Sequence, residues 1–320
     1  MSKISVAMTT YNGECFIEKQ LDSLRLQTKK IDEVIICDDC SKDNTGKIVT
    51  DYINRYKLIG WKFIVNEKNL GFVENFKKSM RLTSGDYIFL ADQDDEWHLD
   101  KIEEMTEVFE KNSNIDLLSC SLQFIDQNSK KYIPKNFPSW YKYMTKDDQI
   151  KLTKVNFMEV CMTNYFPGCT MGMRRGLVKK YLECTYPYKI PHDWLINLLA
   201  CIDEKSYFLN KPLIDYRLHS NNAIGVRCSK GSKSKEQQLD RLQSLKARYL
   251  LAKGSKNYDN AQLLLNIDYV EKRINLYKKR SINNLRQVIT ASKKTKFLYK
   301  NINKVNVKDI LYTFHLIFNN

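Results

Sequence analysis

The sequence predicts an α/β protein: a mostly parallel sheet with helices on both faces, followed by a helical C-terminal appendage. Three observations carry this expectation. Short apolar runs alternate with amphipathic stretches from residue 4 to about residue 110. Polar clusters follow directly on the apolar runs, where ligands bind in open parallel sheets. Positive charge is concentrated beyond residue 229. From Lys230 to Asn320 there are 20 Lys/Arg against 6 Asp/Glu, whereas residues 1–229 hold 32 against 31. This boundary divides the chain into a domain at 1–229, with halves of about 1–125 and 126–229, and a basic helical region at 230–320.

Taken in order, Ile4–Met8 reads as a buried strand, ending in the turn Thr9–Gly13. Phe16, Ile17, Leu21 and Leu24 then recur at helical spacing. Glu33–Asp38 is a second strand. Ser41, Asp43 and Asn44 offer caps for a helix carrying Ile48, Val49, Tyr52 and Ile53. Trp61–Asn66 is a third strand, and Phe72–Leu82 a helix with Phe72, Phe76 and Met80 on one face. Asp86–Ala91 is the fourth strand, before a helix around Ile102–Phe109. Strand–helix alternation with short links predicts a parallel sheet covered on both sides. Periodicity is poor from Gln127 to Tyr165, as in binding or lid segments. A helix at Pro191–Cys201 and strands at Tyr207–Leu209 and Leu213–Leu218 follow. Beyond a Gly/Ser/Lys linker at 231–235, Leu239, Leu242, Tyr249 and Leu250 mark one helix. Leu263, Ile267, Val270, Ile274 and Tyr277 mark another.

At 320 residues, with 43% hydrophobic and 12% aromatic side chains, the chain can bury one large core or a core plus an appendage. The apolar start Ile4–Met8 is too short for a signal peptide, and no run approaches the ~18 apolar residues of a spanning helix. A cytoplasmic location is expected, with the inner face of the cell membrane as a place of peripheral attachment. The nine cysteines suit a reducing compartment. Cys37 and Cys40 form a CxxC pair without further thiols or histidines at zinc-binding spacing.

The densest chemistry follows the fourth strand, in Ala91-Asp92-Gln93-Asp94-Asp95-Glu96-Trp97-His98. Three carboxylates within four positions repel one another, and a bound divalent ion relieves that repulsion. Asp92-x-Asp94 places two of them on one face of an extended segment. Mg²⁺ or Mn²⁺ would suit such oxygen ligands together with substrate phosphates. The alternative is a solvated acidic turn before the next helix.

Read together, four further pieces join this cluster: Val6–Gly13, Asp38–Thr45, Asn69-Leu70-Gly71 and Pro167–Thr170. With His192-Asp193-Trp194 and Tyr216-Arg217-Leu218-His219-Ser220-Asn221-Asn222, the ordered set resembles family 2 glycosyltransferases over residues 1 to about 225. The forms around His192 and Tyr216 look most like the rhamnosyltransferase-like branch that builds bacterial surface polysaccharides. The resemblance implies the GT-A fold and inverting transfer from a nucleoside-diphosphate sugar, dTDP- or UDP-linked, to a saccharide or polyprenyl-linked glycan.

Site roles follow from the same resemblance. Thr9 and Tyr11 would meet the pyrimidine, Tyr11 by stacking. Asp39, in preference to Asp38, would accept from the base imide, and Asn69 and Gly71 would bring backbone close to the nucleotide. Asp92 would bind ribose and Asp94 the metal. Asp95 stands either behind these groups or as an alternative ligand. Asp193 would be the general base, preceded by His192 where many relatives carry an acid. His219 would be a third metal ligand or a diphosphate contact, and Arg217 a bidentate phosphate partner. Trp194, with Trp97, suits either a sugar platform or core packing.

Two rival functions remain open. A nucleotidyltransferase would need a Gly-rich, Arg/Lys-containing loop after the first strand, which Thr9–Gly13 does not supply. A non-catalytic nucleotide-sugar-binding scaffold would have little use for the carboxylate set. The basic stretches Lys278-Lys279-Arg280 and Lys293-Lys294-Thr295-Lys296 suit an anionic membrane surface or a homo-oligomeric bundle. No nucleic-acid motif accompanies them, so no nucleic-acid partner is expected.

Overall fold

The computed structural model describes residues 2–134, 141, 151–219, 234–279 and 281–295. The chain forms two compact units. The first comprises Met1–Asn156, Thr163–Thr185 and Ile190–Arg227; the second comprises Phe157–Met162, Tyr186–Lys189 and Cys228–Asn320.

In the first unit β1 (Ile4–Thr10), α1 (Ile17–Arg25), β2 (Glu33–Asp38), α2 (Thr45–Arg55), β3 (Trp61–Val65), α3 (Phe72–Leu82) and β4 (Tyr87–Ala91) alternate as the periodicity predicts. β1 lies between β2 and β4, and β2 joins β3, all in parallel. Every residue of β1, β2 and β4 is buried, as expected of strands covered on both faces. Four parallel strands therefore present their carboxyl ends along one edge. Phe76 and Met80 of α3 enter the core, but Phe72 is 42% exposed and leaves the face assigned to it by helical spacing.

Beyond β4 the sheet becomes mixed. β5 (Glu96–Trp97), α4 (Lys101–Lys111), β6 (Leu117–Ile125) and β7 (Leu152–Lys154) are followed by β8 (Met171–Arg174), α6 (Arg175–Glu183), α7 (His192–Ile202) and β9 (Ser206–Arg217). The strand order is β3-β2-β1-β4-β8-β6-β9-β5, with β7 on β9. β8 is antiparallel to both β4 and β6, whereas β6 and β9 are parallel. The periodicity did not reveal β6: the buried Ser119 and Ser121 interrupt its apolar pattern. The two strands expected around residue 210 are one, because Pro212 is accommodated where the β6–β9 register shifts.

The second unit contains α5 (Phe157–Met162), α8 (Lys235–Leu251), α9 (Asn260–Lys278) and α10 (Ile282–Ser292). Ser234 and Gln237 form a capping box on α8; Asp259 caps α9 and Ser281 caps α10. Arg248 of α8 donates to the Cys161 carbonyl at the end of α5 (2.8 Å). Leu263, Ile267, Val270, Ile274 and Tyr277 are buried as spaced, whereas Leu250 is 43% exposed. Arg280 and residues 296–320, which hold part of the basic stretches, lie outside the described residues. Among the described residues no helix is long and apolar enough to cross a membrane.

Candidate active site

A cavity of about 580 Å³ opens at the carboxyl edge of the parallel strands, within the size range of small-molecule sites. Its walls come from six places in the first unit besides β9: Thr9–Tyr11 after β1, Asp39 after β2, Asn69 to Phe76 around the start of α3, Asp92–Asp94 after β4, Asn164 to Gly168 before β8, and Pro191–Trp194 at the start of α7. Tyr216 of β9 closes it. The chain is brought to these positions by ordinary turn chemistry. Asp38 is buried and does not line the cavity: its carboxylate accepts from Thr10 Oγ1 (2.8 Å) and from the Ser41 backbone (2.8 Å) and hydroxyl, closing the 38–41 turn. Asp43, rather than Ser41, serves the start of α2, accepting from the Thr45 backbone at 3.0 Å.

Asp39 holds the next loop. Its Oδ1 accepts from Asn66 Nδ2 (2.8 Å) and Leu70 N (2.7 Å), and its Oδ2 from Gly71 N (2.8 Å). Gly71 has φ +78°, a conformation that disfavours side chains, and Asn69 bonds back to the Asp39 carbonyl at 3.1 Å. One carboxylate thus shapes the loop it shares the cavity with. Tyr11 is 49% exposed at the mouth. Its backbone N–H donates to Gln93 Oε1 (2.7 Å) and its carbonyl accepts from Gln93 Nε2 (3.0 Å). Gln93, which the motif reading passed over, therefore clasps the first loop to the acidic loop.

The acidic loop divides by depth. Asp92 and Asp94 line the cavity half-buried, while Asp95 is buried behind them. Asp95 Oδ1 accepts from the Arg217 backbone N–H (3.0 Å), and its buried Oδ2 has no hydrogen-bond partner. Burial, then the charge of Asp94, pushes the Asp95 carboxyl up to about 7. Burial and the neighbouring Asp95, Asp94 and Asp193 carboxylates likewise hold Asp92 well above the usual carboxylate range. Among the described residues, Asp92, Asp95 and the Cys169 thiol each offer a ligand atom, all within 4.8 Å of one another. Mutually destabilised carboxylates with an orphaned buried oxygen fit a divalent cation. Cys169 is a softer member of the set than sequence reasoning supplied.

His219 and Arg217 act on this loop and do not line the cavity. His219 Nε2 lies 2.8 Å from Asp94 Oδ2, with its ring against Phe16. The Arg217 side chain is fully buried. Its guanidinium donates to the carbonyls of Asp94 and Asp126 (2.7 Å each), to Ser129 Oγ (3.2 Å) and to the Glu96 carboxylate. This corrects the expectation of a phosphate contact. The reason is strand alternation: Tyr216 faces the cavity, so its neighbour Arg217 faces the other way. Trp97 is also buried, under Phe89 and Lys101, and is no sugar platform. Trp194 does line the cavity.

Asp193 lines the same cavity from the first turn of α7. Its Oδ2 accepts from Gly168 N (3.1 Å), its Oδ1 from Trp194 N (2.7 Å), and the Asn164 side chain also bonds to it. Burial outweighs these donors and pushes its carboxyl up to about 6. His192 stacks on Phe76 with ring centroids 4.0 Å apart. Desolvation holds it down to about 3, so it is neutral at working pH, and neither ring nitrogen has a hydrogen-bond partner. The glycine at 168 allows this packing, since a Cβ there would lie 2.8 Å from His192 Nε2. Asn164 and Tyr216 were not singled out from sequence; for Tyr216 the alternation of β9 was the available signal.

Carboxylates gathered on the wall of one cavity suit group transfer from a phosphorylated donor. Residues 5–182 match glycosyl transferase family 2, and the chain belongs to that family; it is a glycosyltransferase. It is 31% identical to the dTDP-rhamnosyl transferase RfbG of Shigella flexneri over 239 residues, covering 71% of this chain and 77% of that protein. It is 26% identical to the putative teichuronic acid biosynthesis glycosyltransferase TuaG of Bacillus subtilis, covering 79% and 95%. In fold it is similar to S. aureus TarS 1–349 solved in complex with UDP-GlcNAc (TM-score 0.60, 20% identity, 90% of this chain and 79% of that one). It also resembles the mannosyltransferase PcManGT of Pyrobaculum calidifontis in complex with GDP-Man and Mn²⁺ (TM-score 0.54, 14% identity, 98% and 83%).

Proposed function

We propose that this protein is an inverting glycosyltransferase that moves a sugar, rhamnose being the first candidate, from a dTDP- or UDP-sugar to a saccharide or polyprenyl-linked glycan of a cell-surface polysaccharide. The observation that carries the reading is that Asp193, with its raised pKa, lines one cavity together with Asp92 and Asp94 of the acidic loop. The relative from Shigella flexneri supports the donor class.

Thr9, Tyr11 and the Asn69–Gly71 loop bind the nucleotide, with Tyr11 at the mouth free to stack on a base. The Asp39 carboxylate, besides shaping that loop, keeps lone-pair capacity on Oδ2 for an imide N–H. Asp92, Asp94 and Asp95 would hold Mg²⁺ or Mn²⁺, with His219 orienting Asp94. When bound, the ion supplies charge neutralisation of the leaving diphosphate. Asp193 takes the proton of the acceptor hydroxyl as its oxygen attacks the anomeric carbon, and the nucleoside diphosphate leaves from the opposite face. Three donors hold the carboxylate of Asp193 in place, and burial makes it more basic than a solvated aspartate.

The test is a panel of nucleotide sugars with Mn²⁺ and a glycan acceptor, with the anomeric configuration of the product read by NMR. Asp193→Asn is expected to lower kcat at least about 100-fold while leaving calorimetric donor affinity nearly unchanged. Near-normal turnover of that variant, or retention of configuration, would remove Asp193 as the base.

A further inference from the structure

Lys101, in the first turn of α4, is fully buried, which is rare for a lysine without a charged partner. Its Nζ donates to the Cys169 carbonyl at 2.6 Å and lies 3.6 Å from the centre of the Trp97 ring. Both contacts favour an ammonium over a neutral amine. Burial pushes the group below the usual lysine range; the Cys120 and Cys169 thiols, and after them the carboxylates of Asp95 and Asp92, pull it back up. Asp95 in turn has a buried oxygen without a hydrogen-bond partner. Cys169 joins the two, its carbonyl bonded to Lys101 and its thiol grouped with Asp92 and Asp95, and a buried cation and a buried anion so placed each lower the cost of the other.

We propose that Lys101 is the internal counter-cation of the acidic centre: its ammonium group offsets the charge of Asp92 and Asp95 and, through the Cys169 carbonyl, fixes the turn that bonds Asp193. The geometry supplies the second half directly. The turn Gly168–Thr170 takes the lysine at the Cys169 carbonyl and gives the Gly168 N–H to Asp193 Oδ2. Lys101 is thus a positioning residue that reaches Asp193 through the Gly168–Thr170 turn. A further consequence is competition: a fixed positive charge beside a cation site weakens the site for a divalent ion.

The inference rests on the proposed metal site for this last consequence only, so the experiment separates the two. In metal-free full-length protein, thermal unfolding is followed for wild type, Lys101→Met, Asp95→Asn and the double variant. Lys101→Met is expected to lower Tm by roughly 5 °C or more, and Asp95→Asn in that background to restore at least half the loss. Loss of the carbonyl hydrogen bond alone would not be repaired by Asp95→Asn, so absence of recovery would overturn the proposal. If Lys101→Met does not fold, the double variant must; two unfolded variants would equally overturn it. Mn²⁺ alone is then titrated calorimetrically. Lys101→Met, or the double variant against Asp95→Asn where the single does not fold, is expected to bind it at least about threefold more tightly; equal or weaker binding would refute the competition. Lack of Mn²⁺ binding by wild type would remove the metal reading and leave the metal-free cycle to decide on Lys101.

Discussion

Asp193 sits where a carboxylate ordinarily gains from the partial positive charge of a helix start, yet its carboxyl is pushed up to about 6. Burial wins because the residue is only 7% exposed, so desolvation outweighs its donors. In the proposed role the functional form is the anion, and a raised pKa means that the anion appears only as pH rises. Turnover is therefore expected to climb through pH about 6 and level off above it, as measured in a kcat–pH profile. Asn164 bonds to the anion and stabilises it. Asn164→Leu removes that bond, so the acidic limb should move to higher pH; an unmoved limb would detach Asn164 from the base. Asp193 was legible through the resemblance that His192-Asp193-Trp194 carries, at the start of an apolar helix. Asn164 was not legible, since nothing local distinguishes a loop asparagine that will meet a carboxylate 29 positions later.

At the scale of elements, the acidic loop between β4 and β5 is held from outside itself. Gln93 ties it to the loop after β1, and Arg217 at the end of β9 takes its Asp94 carbonyl and Glu96 carboxylate. Replacing Arg217 by Met should cost roughly 3 kcal/mol in stability, because Glu96 and two backbone carbonyls lose their donor. Denaturant unfolding would measure it, and donor affinity should fall with it through the displaced Asp94. A phosphate-binding arginine would instead lose donor affinity with little change in stability. The strand–helix order through β4 was readable from the sequence because parallel strands buried on both faces are continuous apolar runs. β6 and β8 were not, since buried serines and a four-residue strand carry no periodic signal.

For the whole molecule the charge is uneven: the region from residue 230 carries most of the excess positive charge. Attraction to an anionic surface is then expected, and it should be screened by salt. The full-length chain should pellet with anionic vesicles at low ionic strength, stay in solution with neutral ones, and be released near 0.5 M salt. Equal binding to neutral vesicles, or a salt-insensitive oligomer in light scattering, would assign the basic region to another role.

The sequence by itself determined the alternation of the first half, the edge on which the polar motifs gather, and the acids proposed to carry the chemistry. These are local properties: apolar periodicity, turn residues and the order of motifs along the chain. Only the tertiary structure decided how the acids divide, with Asp92 and Asp94 at the cavity, Asp95 behind them and Asp38 spent on a turn. It also decided that Arg217 holds the acidic loop from within, that Lys101 takes the Cys169 carbonyl, and that the Cys169 thiol joins the acids. The physical reason is that a charged side chain's role depends on which partners and how much water surround it. Those surroundings are assembled from residues that lie up to about a hundred positions apart or more.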